Sequence, residues 1–357
     1  MLREVWPFVQ RKRSAGERVV LVRLIRRNGR ASRPLGATMA VASDGSWTGS
    51  VSGGCVEGVL LEQAREVLDG APPRRAVIRP GEDLLPWEPA PVCDGELDLL
   101  IGPAPEGSVY DDITRALAED RPLRLSIERR EPFRWATAAH GTRLPAYEEQ
   151  FVEELQPRAV LLLVGATDLA AVVAEMAVPL GRRVVVVDPR PEYARPERVP
   201  AAHETIQAWP DGWLAEFPLG SRDAVLVLTH DPRIDDRAIR AALAGAAGYV
   251  GVLGSHRTHA RRLARLDRTP GLDRLVGPAG LNVGGTSLAE TALSMLAEIV
   301  AVAHRRTGGR LQEWHGGIQA DDGTRVESPR TDDPPPGAHI PMGPLTTSSC
   351  PTCVARV

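Results

Sequence analysis

Apolar residues in the first part of the chain come in short runs: Val19-Val20-Leu21-Val22-Arg23-Leu24, Thr38-Met39-Ala40-Val41 and, past the turn Asp44-Gly45, residues 47–51. Runs of that length, broken by turn residues, predict strands. Residues 57–68 read differently, because Val59, Leu60, Ala64, Val67 and Leu68 recur at the spacing of one helix face and Asp69-Gly70 supplies a stop. Residues 76–78 and 97–101 are further strand candidates, and a charged stretch with Pro122, Pro132 and Pro145 leads to Glu153-Glu154. A mixed α+β domain over residues 1–151 is the economical reading.

From residue 152 the pattern changes. Residues 159–164, 184–187, 224–228 and 249–253 are continuously apolar, as buried parallel strands are, and helical patterns separate them. Strand and helix in alternation predict an α/β, Rossmann-like doubly wound parallel sheet over residues 152–307. The last helix, 288 to about 304, carries Leu288, Ala292, Leu296, Ile299 and Val300 on a face that packs on the sheet or on a second protomer, and Ser287 with Glu290 has capping-box spacing. Residues 308–357, with Asp332-Asp333-Pro334-Pro335-Pro336, are too rich in Gly, Pro, Asp and Thr to order themselves, so a disordered tail is expected.

Length and composition fit this division, since 357 residues, 43% of them apolar, suffice for two cores. Lys+Arg total 43 against Asp+Glu 46, a net charge of -3, so no basic field points to nucleic acid or an anionic membrane. No apolar run follows Arg11-Lys12-Arg13, and none approaches the ~20 residues a membrane span needs, so a soluble cytoplasmic protein is expected. The four cysteines, Cys55, Cys93, Cys350 and Cys353, are too few and too scattered for a disulfide framework, and reduced thiols are the expectation.

Candidate chemistry starts at Gly49-Ser50-Val51-Ser52-Gly53-Gly54-Cys55-Val56-Glu57, where a thiol and a carboxylate follow a glycine pair at a strand-to-helix junction. Backbone N–H groups and the helix dipole at such a place attract phosphate and lower a thiol's pKa. Ser52, Gly53 and Gly54 are therefore candidate cofactor-phosphate ligands, Cys55 a candidate reactive thiol, and Glu57 a residue that holds the junction or moves a proton. A small buried residue is the competing account of Cys55, and of Cys93 beside Asp94-Gly95.

In the second half, Gly165-Ala166-Thr167-Asp168 stands where a dinucleotide phosphate loop belongs, with Asp188 at the expected distance for a ribose ligand. Thr167 replaces the glycine that admits the pyrophosphate, and Asp168 brings negative charge to the helix start, so a tight turn with a capping residue is the alternative. His230 and Asp231 after the third strand, and Gly254, Ser255 and Arg257 after the fourth, lie where open α/β sheets bind ligands, although Asp231 and Ser255 also read as helix caps. Arg257, Arg261, Arg265 and Arg268 read as a solvated helix face, and Cys350-Pro351-Thr352-Cys353 as half a zinc site with no second half nearby.

Taken together, Gly36-Ala37-Thr38-Met39, the Gly49 to Glu57 segment and Cys93-Asp94-Gly95-Glu96-Leu97-Asp98 resemble the N-terminal signatures of the XdhC/CoxI family. Thr229-His230-Asp231, residues 249–255 and Gly280-Leu281-Asn282-Val283-Gly284-Gly285 are similar to that family's C-terminal segments. The resemblance implies an accessory protein that binds the molybdenum cofactor as cargo, assists its sulfuration, and delivers it to a xanthine or CO dehydrogenase type hydroxylase. It also implies a chaperone rather than an enzyme with its own turnover, a homodimer, a hydroxylase client and a cysteine desulfurase as partners. Thr167, Asp168 and Asp94 depart from the family's pattern. NAD(P) is accordingly not expected as a ligand, and the rival reading is an NAD(P)-dependent oxidoreductase with Asp188 on the ribose and His230 as acid or base.

Overall fold

The computed structural model describes residues 1–28, 33–79, 95–128, 133–142 and 150–314. Helix α1 (Leu2–Ser14) precedes three strands, β1 (Val19–Asn28), β2 (Thr38–Ala42) and β3 (Trp47–Gly49), then α2 (Glu57–Leu68), β4 (Arg74–Ile78) and β5 (Glu96–Pro103). These strands form one antiparallel sheet in the order β3-β2-β1-β5-β4.

Alternation along the central strands decides what covers each face. Val20, Val22 and Leu24 of β1, with Leu97, Leu99 and Ile101 of β5, pack against Leu60, Ala64, Val67 and Leu68 of α2. On the opposite face Val19 and Leu21 pack with Leu2, Val5, Trp6 and Val9 of α1. That helix was not among the expected elements, although those four residues hold helical spacing.

The charged stretch after β5 is also ordered, as α3 (Gly107–Ala118), β6 (Leu123–Glu128), β7 (Trp135–Ala139) and β8 (Gln150–Leu155), the strands making a second antiparallel sheet in the order β7-β6-β8. Leu123, Leu125 and Ile127 alternate inward along β6. The expected change of character at residue 152 falls inside β8, whose pairing Val152↔Ser126 ties it to β6.

The remaining strands and helices are β9 (Val160–Val164), α4 (Asp168–Ala177), β10 (Arg183–Asp188), β11 (Glu204–Gln207), α5 (Pro210–Glu216), β12 (Ala224–Val227), α6 (Pro232–Ala244), β13 (Tyr249–Val252), α7 (His256–Arg265), β14 (Leu275–Val276) and α8 (Leu288–Ala303). Their six strands form a wholly parallel sheet in the order β11-β10-β9-β12-β13-β14. Counted from β9 this is 3-2-1-4-5-6, the Rossmann order, and the α/β expectation holds for the described residues.

Both faces of that sheet are covered at its centre, which is why β9 and β12 are apolar at every position, whereas the edge strand β11 carries Glu204 and Gln207. Leu161, Leu163, Val184 and Val186 face α4 and α8, while Leu162, Val164, Val185 and Val187 face α5 and α6. The capping box of α8 is formed, with Ser287 Oγ accepting from Glu290 N at 3.1 Å and Glu290 Oε2 accepting from Ser287 N at 2.9 Å, and Ala292, Met295, Leu296 and Ile299 pack the helix on the sheet. The described residues fall in one compact unit. The tail expected from residue 308 lies outside the described residues from 315 onward.

Candidate functional site

Two groups of expected site residues come together, one at the β3–α2 junction and one along the carboxyl edge of the parallel sheet. At the junction the chain leaves β3 through Gly49, whose φ is +84° and where a Cβ would meet the Thr38 carbonyl oxygen at 2.3 Å and Val5 Cγ1 at 2.6 Å. Only glycine fits there.

The next seven residues wrap around the carboxylate of the eighth, Glu57. Glu57 Oε1 accepts from Ser50 Oγ at 2.6 Å, Val51 N at 3.1 Å and Ser52 N at 3.0 Å. Its Oε2 accepts from Ser52 Oγ at 2.5 Å, Gly54 N at 2.9 Å and Val56 N at 3.2 Å. Ser50 Oγ takes the Gly53 N–H at 2.7 Å, and Ser52 Oγ takes the Cys55 and Val56 N–H groups at 3.0 and 3.2 Å. The glycine-flanked loop is wound around an anion of the protein's own, the Glu57 carboxylate.

This changes the roles expected here. The amides of Ser52, Gly53 and Gly54 donate within the loop, so a phosphate at this place would compete with Glu57 and Ser50 for them. Burial opposes ionisation of Glu57, but the hydrogen bonds from Ser50, Ser52 and the backbone outweigh it and lower its pKa from 4.5 to about 2. An acid so strong stays ionised near neutral pH and does not shuttle protons. Glu57 is a positioning residue, and it satisfies the start of α2, whose N-cap Val56 has no side chain to do so.

Cys55 is half-buried at this knot, with its side chain against the core between the sheet and α2. Loop and helix thereby hold the thiol at one place. Cys93, the second candidate thiol, lies outside the described residues, as do Cys350 and Cys353.

In the parallel sheet, β9 and β12 are paired neighbours at the topological switch point, since α4 after β9 and α6 after β12 cover opposite faces, and doubly wound folds bind ligands beyond the strand ends at such a point. Gly165, after β9, has φ +104° and approaches Thr229, after β12, so closely that a Cβ would meet Thr229 Cγ2 at 2.5 Å. Thr167 caps α4 by accepting from Ala170 N at 3.2 Å, and Asp168 is 82% exposed and pairs with Arg198 at 2.9 Å.

Asp188 is fully buried. Its Oδ1 accepts from Arg190 N at 3.0 Å and Nε at 2.9 Å, and its Oδ2 from Ala166 N at 3.0 Å and Arg190 Nη2 at 2.7 Å. Burial would raise its pKa, and the Arg190 and backbone donors together hold it below the ordinary value. Four donors already occupy the two oxygens, so a ribose hydroxyl would compete with Arg190 and Ala166 for them. Arg190 and Arg198 lie over the ring of Tyr193 at 3.7 and 5.2 Å, and Arg198 Nε donates to Ala166 O at 3.0 Å, closing the segment after β10 across the β9–α4 turn. Sequence reasoning missed this clasp; the signal was an arginine two residues after the acid.

His230 is exposed and left-handed at φ +62°, a conformation that non-glycine residues adopt rarely and often at functional sites. Asp231 caps α6, accepting from Arg233 N at 2.9 Å, and its bonds to Arg233 lower its pKa to about 2. Gly254 and Ser255 follow β13, where Ser255 caps α7 by accepting from Thr258 N at 3.2 Å. Behind them Arg262 Nη2 donates to Leu253 O at 3.1 Å and lies 3.4 Å from Asp235, which accepts from Thr229 Oγ1 at 2.5 Å, so one buried pair ties the ends of β12 and β13 together.

Both groups fall within matches to family models, the junction within residues 13–79, matched by the XdhC and CoxI family, and the carboxyl edge within residues 161–299, matched by the XdhC Rossmann domain. Together the matches cover more than half of the chain. The chain belongs to the XdhC and CoxI family.

This XdhC and CoxI family member is 25% identical over 317 residues, 81% of its length and 94% of the relative's, to a protein of Bacillus subtilis (strain 168) named as a probable xanthine dehydrogenase subunit. It is 32% identical over 127 residues to the molybdenum cofactor insertion chaperone PaoD of Escherichia coli (strain K12), covering 35% of this chain and 39% of that protein. A crystal structure described as a xanthine dehydrogenase from Bacillus halodurans shares the fold, with a TM-score of 0.71 at 24% identity over 85% of this chain and 96% of that one.

Proposed function

We propose that this protein is a maturation factor for molybdenum hydroxylases, which binds the molybdenum cofactor as cargo, assists its sulfuration and inserts it into the client enzyme. The observation that carries the reading is membership of the XdhC and CoxI family together with a relative named as a molybdenum cofactor insertion chaperone. Cys55 contacts the molybdenum or its exchangeable ligand as a thiolate, a soft donor suited to the metal, with Cys93 as the second thiol. Glu57 and the two serines keep that thiol in place while cargo enters and leaves.

Gly165, His230, Gly254 and Ser255 offer the cofactor's pterin phosphate a surface at the carboxyl edge of the parallel sheet. The protein works on a hydroxylase client, with a cysteine desulfurase as sulfur donor, and as a homodimer; exposed Leu293 and Val300, seven residues apart on one side of α8, support self-association. Among the described residues no helix is long and apolar enough to cross a membrane, which agrees with work beside a soluble client.

Binding of purified molybdenum cofactor to the wild type, Cys55→Ser and Cys93→Ser tests the assignment. Weaker binding by either variant supports it, whereas equal affinity in all three removes the thiols from the mechanism.

A further inference from the structure

Arg257, Arg261 and Arg265 recur along one side of α7 and all three are exposed. Alone they are a solvated helix face, but the fold lays α6 beside them. Both helices pack on the same side of the parallel sheet, α6 through Ile234, Ala238 and Ile239 and α7 through Leu263. Arg265 ties them together by donating to Asp236 from Nε and Nη2, each at 3.0 Å, and Arg240 Nη2 donates to Arg265 O at 3.3 Å. Arg233, Arg237 and Arg240 are exposed along one side of α6, so the two helices present one surface of arginines. Arg233 pairs with Asp231, Arg237 with Asp211 and Arg265 with Asp236, whereas Arg240, Arg257 and Arg261 have no carboxylate partner among the described residues. At one end of this surface Trp209 is 44% exposed, and the Arg237 guanidinium lies 4.4 Å from its ring centroid.

Folding gains nothing from Arg257 and Arg261, like charges one helical turn apart on a helix that contains no acid. Their surplus charge, on a chain whose net charge is -3, suits an acidic surface brought from outside. Arginine and tryptophan are the side chains that concentrate at the energetic centres of protein interfaces, and Trp209 with Arg237 places such a pair at the surface. Asp211, Asp231 and Asp236 stand among the arginines and oppose a phosphate backbone, so a protein fits this surface better than a nucleic acid. We infer that the α6–α7 face docks an acidic face of the hydroxylase client, with Trp209 and Arg237 as its aromatic end. The inference rests on the maturation reading. Helix α6 follows His230 and Asp231, and α7 follows Gly254 and Ser255, so a client docked here lies against the edge proposed to hold the cofactor's phosphate.

Biolayer interferometry of the full chain against a cofactor-free hydroxylase of the xanthine or CO dehydrogenase type from the same organism, at ~50 and ~300 mM salt, tests the inference. The wild type is expected to bind, and more weakly at the higher salt. Arg240→Glu/Arg261→Glu should weaken binding at least ~10-fold, and so should Trp209→Ala, which leaves the charge unchanged. Arg115→Glu/Arg121→Glu makes the same change of charge at exposed positions on and just after α3 and should leave affinity as it is. Duplex DNA of ~20 base pairs is the competing probe, and tighter binding of DNA than of hydroxylase at equal salt would overturn the choice of a protein partner. Cofactor affinity, measured on the same proteins, separates the docking face from the reading beneath it. A wild type that takes up cofactor but binds no hydroxylase, or wild-type hydroxylase affinity in the double variant or in Trp209→Ala, overturns the docking face. Hydroxylase binding that depends on these arginines in a protein that takes up no cofactor overturns the cargo reading and leaves the face standing.

Discussion

Replacing Glu57 by glutamine keeps the side chain's size and removes the charge around which residues 50–56 are wound. Six donors converge on the carboxylate, three on each oxygen, and an amide in its place turns an NH₂ group toward three of them. The carboxyl titrates at about 2 instead of 4.5, so the folded junction favours the ionised form by about 3 kcal/mol. Glu57→Gln is therefore expected to loosen the junction by ~3 kcal/mol, equivalent to ~100-fold faster hydrogen exchange at the amides of Val51, Ser52, Gly54 and Val56.

The pH dependence gives a second reading of the same quantity. Because the folded pKa is depressed, the stabilisation is complete above 4.5 and is lost as pH falls toward 2. Wild-type protection of residues 50–68, corrected for intrinsic exchange, should decline across that window, and Glu57→Gln should show no such decline. Unchanged exchange in the variant at pH 7, or the same acid-side loss in both proteins, would refute the account of Glu57 as the anion of the loop.

Gly49→Ala is expected to destabilise the protein by more than about 1 kcal/mol, because φ +84° and a Cβ contact of 2.3 Å to the Thr38 carbonyl leave an alanine no room, and a lowered urea midpoint checks it. Titration with NADH should leave nucleotide fluorescence unchanged, since Arg190 and Ala166 hold both oxygens of Asp188; tight binding abolished by Asp188→Ala would restore the oxidoreductase reading.

The parallel sheet was legible because a strand buried on both faces has to be apolar at every position, so residues 159–164 and 184–187 announce themselves without any knowledge of their neighbours. The second antiparallel sheet was not. Its strands β6, β7 and β8 are short and separated by prolines, with charged residues in β6 and β8 and mostly small ones in β7, and β6 is a strand because Leu123, Leu125 and Ile127 find a surface to cover. The capping box at Ser287 and Glu290 was readable for the opposite reason, since both partners lie within one turn.

At the site the same division holds. Sequence alone determined that a glycine-flanked thiol stands at a strand-to-helix junction, that an acid follows the second Rossmann strand, and which family carries both, because these depend on residue type and local spacing. Only the tertiary structure decided which anion fills the loop and which cation covers the acid. A carboxylate's partners depend on where its oxygens come to rest, and a few ångströms separate a vacant amide nest from one that Glu57 has closed.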